Sequence, residues 1–331
     1  MELVIPYLFP SIRLAEIATP GLPLPGLSAM LGRGTPHPCT AQGVEALLCE
    51  ACGIARQHDY PIAPLTLATD GGTPASSYWL RADPVHLQVM RDRIVLAGGE
   101  QLALQTDEAA QLVASLHAHF GDALPVQAVH PARWYLPLST PPDLTTTPPS
   151  LAVGRDLSAL QPGGADAQRW RACINEVQML LHAHPVNLAR EARGAPVVNS
   201  LWLWGGGVMP PIPAAHSNTV LTDTDWRALS AYGVSLLRGR AQSIGVDKIV
   251  LEALVATGQT GDAHGWRAAL STLDNDWFTP LWHQLRRPTG LSELRLIDPV
   301  HGHALHVRRS DSWKVWRRPR SLVQFLATRD G

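Results

Sequence analysis

Histidines spaced two residues apart are a prominent chemical feature of this 331-residue chain, which contains fourteen histidines. Three such pairs occur: His117/His119, His182/His184 and His301/His303. Residues two apart on a helix point about 200° apart and cannot hold one metal ion, whereas alternate residues of a strand share a face. The candidate metal cluster is therefore His301, His303 and His306, and ordinary structural histidines are the alternative because a metal site also needs supporting hydrogen bonds.

A second group of chemically capable residues is the segment HPVNLAREARG, residues 184–194. Arg190 and Arg193 are about one helical turn apart, so their guanidinium groups could converge on a carboxylate or phosphate. The alternative is a solvated helix end in which one of them pairs with Glu191.

The apolar run VNSLWLWGGG, residues 198–207, predicts a buried strand that ends in three glycines. The loop at the carboxyl end of a strand is where an open α/β sheet meets its ligand, and glycine lets a backbone come close. This pattern places Trp204, Gly205 and Gly206 at the edge of a ligand pocket.

The composition narrows the classes of partner. The net charge of -1 gives no general reason to expect nucleic acid or a membrane surface, although WKVWRRPR near the C-terminus alternates aromatic and basic residues as single-strand binders do. No apolar run reaches the ~20 residues that span a bilayer, so we expect a cytoplasmic protein. The chain contains no P-loop, dinucleotide fingerprint or Gly-x-Ser-x-Gly elbow.

The elements that would position these residues are strands alternating with helices. The opening ELVIPYLF predicts a strand, and Thr40 has the residue type of an N-cap for the helix AQGVEALLCEACG. Between Tyr78 and Leu138, strands such as YWLRADPV surround one helix and indicate a separate α+β module. The rest of the chain predicts a sheet covered by helices.

The segments HPVNLAREARGAPVVNSLWLWGGG and YWLRADPV carry a resemblance to the archaeal-type cofactor-independent phosphoglycerate mutases. The chain is still more similar to bacterial RpfE-type regulatory proteins. The resemblance implies an α/β fold with an alkaline-phosphatase-like core sheet flanked by helices and a smaller inserted α+β domain. The implied limits are 1–75 with 186–331 for the core and 76–185 for the insertion.

The resemblance also implies a site with two divalent metals held by Asp and His and a Ser or Thr nucleophile. Here the first strand continues as IPYLFP without the metal-binding acid. Thr40 is the nearest match to the nucleophile, but Ala41 follows it where the family has an acid. The remaining metal-ligand positions are matched incompletely, by Asp262, His264 and Asp298, and Asp298 is followed by a proline.

The polar residues that the resemblance places near the substrate are present more completely than the metal ligands. They are Arg81, Asp83, His184, Asn187, Arg190, Arg193 and Asn199. We therefore expect a mutase-like protein that has lost the two-metal site, needs no cofactor, and binds a small anionic or phosphorylated metabolite or a protein partner. The alternative is an active phosphomutase or phosphohydrolase with Thr40 as nucleophile and Mn, Zn or Mg as cofactor.

Overall fold

The computed structural model describes residues 1–40, 42–89, 94–152, 160–212, 220–224, 226–237 and 246–328. The chain divides into two compact units. Unit 1 comprises Met1–Cys52 and Ala214–Gly331, and unit 2 comprises Gly53–Pro213. Across the described ranges, none of the helices combines the length and the apolar character needed to cross a bilayer.

Unit 1 contains a seven-stranded mixed sheet in the order β2-β12-β11-β1-β10-β8-β9. The strands are β1 (Glu2–Val4), β2 (Thr35–Pro38), β8 (Val220–Thr222), β9 (Val234–Leu236), β10 (Lys248–Val250), β11 (Glu293–Asp298) and β12 (His303–Arg308). Strands β11, β1, β10, β8 and β9 are parallel, whereas β12 is antiparallel to β11 and β2. The completely buried Leu3 pairs with Ile249 and Leu296 at the centre.

Unit 1 also contains helices, most of which contribute side chains to one continuous apolar core with the sheet. They are α1 (Ile12–Ala18), α2 (Pro25–Arg33), α3 (Gly43–Ala51), α9 (Val255–Thr260), α10 (Ala263–Leu273), α11 (Thr279–Leu285), α12 (Arg309–Ser312) and α13 (Leu322–Ala327). Trp266 and Phe278 are completely buried in the core. The buried carboxylate of Asp274 accepts the backbone N–H groups of Gly26 and Leu27, which satisfies two donors at the start of α2.

Unit 2 contains a five-stranded antiparallel sheet built around one long strand. Its strands are β3 (Tyr78–Val89), β4 (Ile94–Gly98), β5 (Gln127–His130), β6 (Arg133–Leu138) and β7 (Ser200–Gly207). Strand β3 pairs with β4, β6 and β7, and β5 pairs with β6. The helices of this unit are α4 (Ile62–Thr69), α5 (Thr106–Phe120), α6 (Pro149–Ala152), α7 (Ala167–His182) and α8 (Pro185–Ala192).

The predicted fold class, an α/β core sheet flanked by helices together with an α+β domain, is confirmed. The limits between the units differ from those expected, because unit 2 extends to residues 53–213 instead of 76–185. The tryptophan strand β7 pairs with β3 over residues 79–85, which places it in the antiparallel sheet of unit 2 and not in the core sheet. Helix α4 packs on both of these strands.

Candidate functional site

The carboxyl ends of the parallel strands in unit 1 form one edge of the sheet, which we call the carboxyl edge. Asp298 ends β11, Tyr7 follows β1, Glu252 follows β10 and Asp223 follows β8. Ligands of open α/β sheets bind outside the carboxyl ends of the strands. A ligand site is therefore expected at this edge.

Asp298 is completely buried at this edge, and the protein itself uses its carboxylate. The oxygens accept the backbone N–H groups of Tyr7 (3.2 Å), Phe9 (2.9 Å), Val300 (3.0 Å) and His301 (3.3 Å). The His301 ring nitrogen Nδ1 lies 3.0 Å from Oδ2. A carboxylate offers about four lone-pair sites, so these five contacts leave no acceptor capacity for a metal ion.

Tyr7 holds the chain in an unusual conformation beside Asp298. Its φ of 64° lies in the left-handed region, where a bulky side chain is rarely found. The backbone carbonyl of Tyr7 accepts the indole N–H of Trp266 (3.1 Å), and its ring meets the His301 ring edge-on at 5.4 Å. The turn after β1 thus delivers two N–H groups to Asp298, in the segment where the resembling family places a metal-binding acid.

The predicted histidine cluster does not assemble. His303 packs its ring against Phe9 at 6.3 Å, whereas His306, three positions along β12, lies 3.1 Å from the carboxylate of Glu293. Residues three apart in a strand point to opposite faces. Over the ranges that the structure describes, no three His, Cys, Asp or Glu side chains lie close enough to hold a metal ion.

Asp262 and His264 have a local structural explanation. The Asp262 carboxylate accepts the backbone N–H groups of His264 (3.1 Å) and Gly265 (3.0 Å), which makes it the N-cap of α10. Both side chains are exposed. Their expected role as metal ligands has no support in the geometry.

Thr40 lies at the carboxyl edge, just beyond the end of β2, and is exposed. The preceding Cys39 donates its N–H to Gly302 and its thiol lies 3.7 Å from the Asp298 carbonyl oxygen. Thr40 is not the N-cap of α3, since that helix starts at Gly43 after Gln42. Among the described residues, no His, Asp or Glu side chain hydrogen-bonds the Thr40 hydroxyl, whereas a hydroxyl nucleophile needs an adjacent base or metal.

A carboxylate pair that the sequence analysis missed also lies at this edge. Asp223 accepts the backbone N–H of Glu252 (2.8 Å), and Glu252 accepts Trp226 Nε1 (2.7 Å) and the Thr224 hydroxyl. Partial loss of water around the carboxylate, together with the Glu252 charge, raises the pKa of Asp223 to about 6. The sequence pattern could have indicated both acids, because Asp223 directly follows the apolar strand VLT and Glu252 lies two residues after the strand KIV.

In unit 2, Arg190 and Arg193 do converge on an anion, but that anion is the carboxylate of Glu108. Arg190 is completely buried and its Nη1 lies 2.6 Å from Glu108 Oε2, while Arg193 Nη2 lies 2.5 Å from Oε1. Arg190 also donates to the carbonyl oxygens of Pro196 and Leu102. Both guanidinium groups that were expected to hold a ligand are thus paired with one carboxylate of the fold, which offsets one of their two positive charges.

Glu108 also belongs to the capping box of α5, where its carboxylate accepts the N–H of Gln105 (3.1 Å). Burial acts to raise the pKa of Glu108, but the hydrogen bonds from Gln105 and Arg193 and the charge of Arg190 outweigh it. The pKa of Glu108 therefore lies below its usual value, and the carboxylate stays charged.

Arg81 and Asp83 form a second buried pair. Nε and Nη2 of Arg81 donate to the two Asp83 oxygens at 2.9 and 2.8 Å, and Trp204 Nε1 donates to Asp83 at 2.7 Å. The guanidinium lies over the rings of Tyr135 (5.2 Å) and Trp204 (5.0 Å). Such an arrangement satisfies both charges internally.

The remaining predicted polar residues secure the backbone of unit 2. His184 caps α8 and contacts the Ser115 hydroxyl at 2.9 Å. The Asn187 amide bonds to Leu181 and Val198, and the Asn199 amide bonds to both backbone groups of Leu87. Each of these contacts joins two parts of unit 2.

The glycines after the tryptophans serve close packing, not a pocket edge. A Cβ on Gly206 would lie 2.3 Å from the Tyr78 hydroxyl, and one on Gly207 would lie 2.6 Å from Cβ of Pro61. Gly205 adopts a φ of 65° that favours glycine. The expected pocket at Trp204, Gly205 and Gly206 is instead filled by the start of α4 and by β3.

A cavity of about 500 Å³ opens elsewhere in unit 2, between α7 and β7. Polar side chains on its wall include Arg171, Gln178, His182 and Asn199, and the apolar wall includes Leu201. Asn199 is the one residue that this cavity shares with the predicted ligand-binding set.

The chain is similar in sequence to curated proteins that are named as phosphoglycerate mutases. No family model matches the chain. It is 26% identical over 235 residues to a 2,3-bisphosphoglycerate-independent phosphoglycerate mutase of Methanothrix thermoacetophila, covering 62% of this chain and 59% of that protein. The mutase of Methanosarcina barkeri is 29% identical over 202 residues, covering 59% and 48%.

The chain thus spans less than two thirds of the length of these curated relatives. A cofactor-independent phosphoglycerate mutase of Thermoplasma acidophilum aligns at a TM-score of 0.41 and 13% identity, over 98% of this chain and 94% of that one. The chain is similar in sequence to phosphoglycerate mutases at low identity.

Proposed function

We propose that this protein is a phosphoglycerate mutase-like regulatory protein of the cytoplasm, of the RpfE type, which has lost the two-metal reaction and binds a small anionic or phosphorylated metabolite. The loss of the two-metal reaction is supported by the hydrogen bonding of Asp298. All of its acceptor capacity is used by the turn after β1 and by the loop that follows β11.

The residues at the other implied positions do not fit a two-metal site either. Two cations in one site need several carboxylates to offset their repulsion. Here Asp262 caps a helix, His306 faces Glu293, and the first strand supplies the apolar turn around Tyr7 instead of an acid. No phosphoryl-transfer step through metal ions follows from this donor set.

The cavity between α7 and β7 supports the second half of the proposal. Its size falls in the range of small-molecule sites, which are roughly 300–1,000 Å³. Arg171 donates Nε to the carbonyl of Ala167, and its other guanidinium N–H groups have no partner among the described residues. A guanidinium at the wall of such a cavity matches a carboxylate or phosphate group.

The alternative function is an active phosphomutase or phosphohydrolase with Thr40 as nucleophile. One observation favours it: Thr40 is exposed at the carboxyl edge of the sheet, close to the chain around Asp298. Mutase and phosphatase assays with added Mn²⁺, Zn²⁺ or Mg²⁺ separate the two functions. The proposal expects no turnover, and turnover that is lost in Thr40→Ala would overturn it.

Thermal unfolding with 3-phosphoglycerate tests the ligand site, because a ligand that binds the native state raises its stability. We expect the melting temperature to rise in the wild-type protein and not in Arg171→Ala. Arg169→Ala is the matched control, since Arg169 is exposed on the same helix, lies over the Trp170 ring and does not line the cavity. Equal stabilisation of both variants would remove Arg171 from the site.

A further inference from the structure

Two tryptophans of unit 1 lie on the surface within four residues of each other. Trp313 and Trp316 are 57% and 74% exposed, and Val315 between them is 69% exposed. Eight of the other nine tryptophans are more than nine-tenths buried. Exposed aromatic side chains grouped in this way mark an interaction surface.

The backbone that carries these side chains is fixed. Arg320 donates its N–H to the carbonyl of Ser28 (3.0 Å), and Arg33 Nη1 donates to the carbonyl of Ser312 (3.1 Å). A Cβ on Gly32 would lie 2.2 Å from the carbonyl oxygen of Arg318, so the segment lies directly on α2. Residues 313–320 therefore present their side chains from a well-anchored turn, which lowers the entropy lost on binding.

The segment is also strongly basic in a chain whose net charge is only -1. Residues 313–320 contain four Lys and Arg and no acid, and Lys314 pairs with the nearby Asp311 at 2.6 Å. Arg317, Arg318 and Arg320 line a groove of about 870 Å³ beside α2 and α13. In the described part of the chain, the guanidinium groups of Arg318 and Arg320 have no hydrogen-bonding partner.

We propose that residues 313–320 and this groove bind single-stranded nucleic acid. The arginines contact successive phosphates along the groove, and the bases stack on Trp313 and Trp316. Stacking on aromatic rings beside a basic groove is how single strands are bound without sequence preference. Double-stranded nucleic acid keeps its bases stacked on one another and cannot use the rings in this way.

The geometry favours a nucleic acid over a membrane surface. A helix that lies in a membrane interface buries one long apolar face. Here Lys314 separates Trp313 from Val315 and Trp316, and the segment is a turn. The charge would attract either partner, so the experiment includes both.

Fluorescence anisotropy of a labelled 15-nucleotide oligo-dT or oligo-U with the full chain tests this proposal. We expect salt-dependent binding that Trp316→Ala weakens about tenfold without changing the salt slope. The double variant Arg318→Ala/Arg320→Ala weakens binding and lowers the slope of log K against log salt by about 1.4.

Arg286→Ala/Arg287→Ala is the control that removes the same charge, since both arginines are exposed and neither lines the groove. Trp316→Phe keeps an aromatic ring and should retain most of the affinity. The proposal is rejected if the two double variants bind equally, or if a duplex binds as tightly as the single strand. Binding to vesicles containing phosphatidylglycerol but not to oligonucleotides would also reject it.

Discussion

Asp298 in unit 1 and Glu108 in unit 2 are buried carboxylates with several partners each. Each carboxylate accepts hydrogen bonds from several donors of its own unit. The sequence analysis instead expected a metal ion as the partner of Asp298 and a ligand anion as the partner of Arg190 and Arg193. Residue types and spacing identified charged side chains that could pair with an opposite charge. They did not identify the distant partners, since Tyr7 lies 291 residues from Asp298 and Glu108 lies 82 residues from Arg190.

Glu108→Gln should destabilise the protein, because it leaves the buried charge of Arg190 without its counter-charge. Arg190 is completely buried, so we expect the free energy of unfolding to fall by about 3 kcal/mol, as measured by urea denaturation. The contribution of Glu108 is present above its ordinary pKa and is lost as the pH falls through the lowered folded-state pKa. The wild-type advantage over the variant should therefore shrink in acid.

Arg193→Ala is the control for this measurement. Its side chain is half exposed and pairs with the same carboxylate, so its removal should change stability by less than about 1 kcal/mol. If Glu108→Gln were no more damaging than Arg193→Ala, Arg190 would have another counter-charge and the anion-pocket hypothesis would return.

Asp223 should titrate well above an ordinary aspartate. We expect carbon-detected NMR to place its pKa near 6, and Glu252→Gln should lower that value by removing the neighbouring charge. Because the folded-state pKa is raised, stability from this group is present in acid and is lost as the pH rises from about 4 to about 6. Asp223→Asn should abolish this pH-dependent loss, because an amide does not titrate in this range.

A titration of Asp223 near pH 4 would contradict this explanation of the carboxylate pair.

The positions of Asp223 and Glu252 could have been predicted from the sequence, because an acid just after an apolar strand lies at the carboxyl edge of a parallel sheet. That the two acids lie next to each other depends on the strand order β1-β10-β8, which sequence spacing does not contain.

At the scale of elements, the end of β7 shows how a local pattern can have two explanations. The strand itself was predicted from its apolar run, and the one helix predicted between Tyr78 and Leu138 is α5. The glycine run was assigned to a ligand pocket, yet the glycines are needed because Pro61 and Tyr78 approach the backbone. The sequence of residues 198–207 alone does not indicate whether a ligand or another part of the chain packs against these glycines.

Gly207→Ala tests this packing. The added Cβ would overlap Cβ of Pro61, so we expect a loss of about 1–3 kcal/mol in the free energy of unfolding, measured by denaturant titration. Gly163→Ala is the matched control, because a Cβ there meets nothing within 4 Å and its φ is not in the left-handed region. Equal stability of the two variants would show that β7 ends in open space.

At the scale of the molecule, the division of the chain depends on long-range strand pairing. The α/β core and the separate α+β unit follow from the alternation of elements and could be predicted. The limits could not, since the pairing of Ala82 with Leu203 draws residues 186–213 into unit 2, and α4 packs on the same strands. No periodicity within a segment indicates which sheet it joins.

We propose that the carboxyl edge of unit 1 does not bind metal ions, because Asp298 is a structural acceptor. Calorimetric titration of the full chain with Mn²⁺ and Zn²⁺, with metal content measured after dialysis, tests it most directly. We predict no stoichiometric binding, and we predict that Asp298→Asn destabilises the fold with or without metal, since the amide nitrogen cannot accept a hydrogen bond. Binding of one or two metal ions per chain that Asp298→Asn abolishes would contradict the claim.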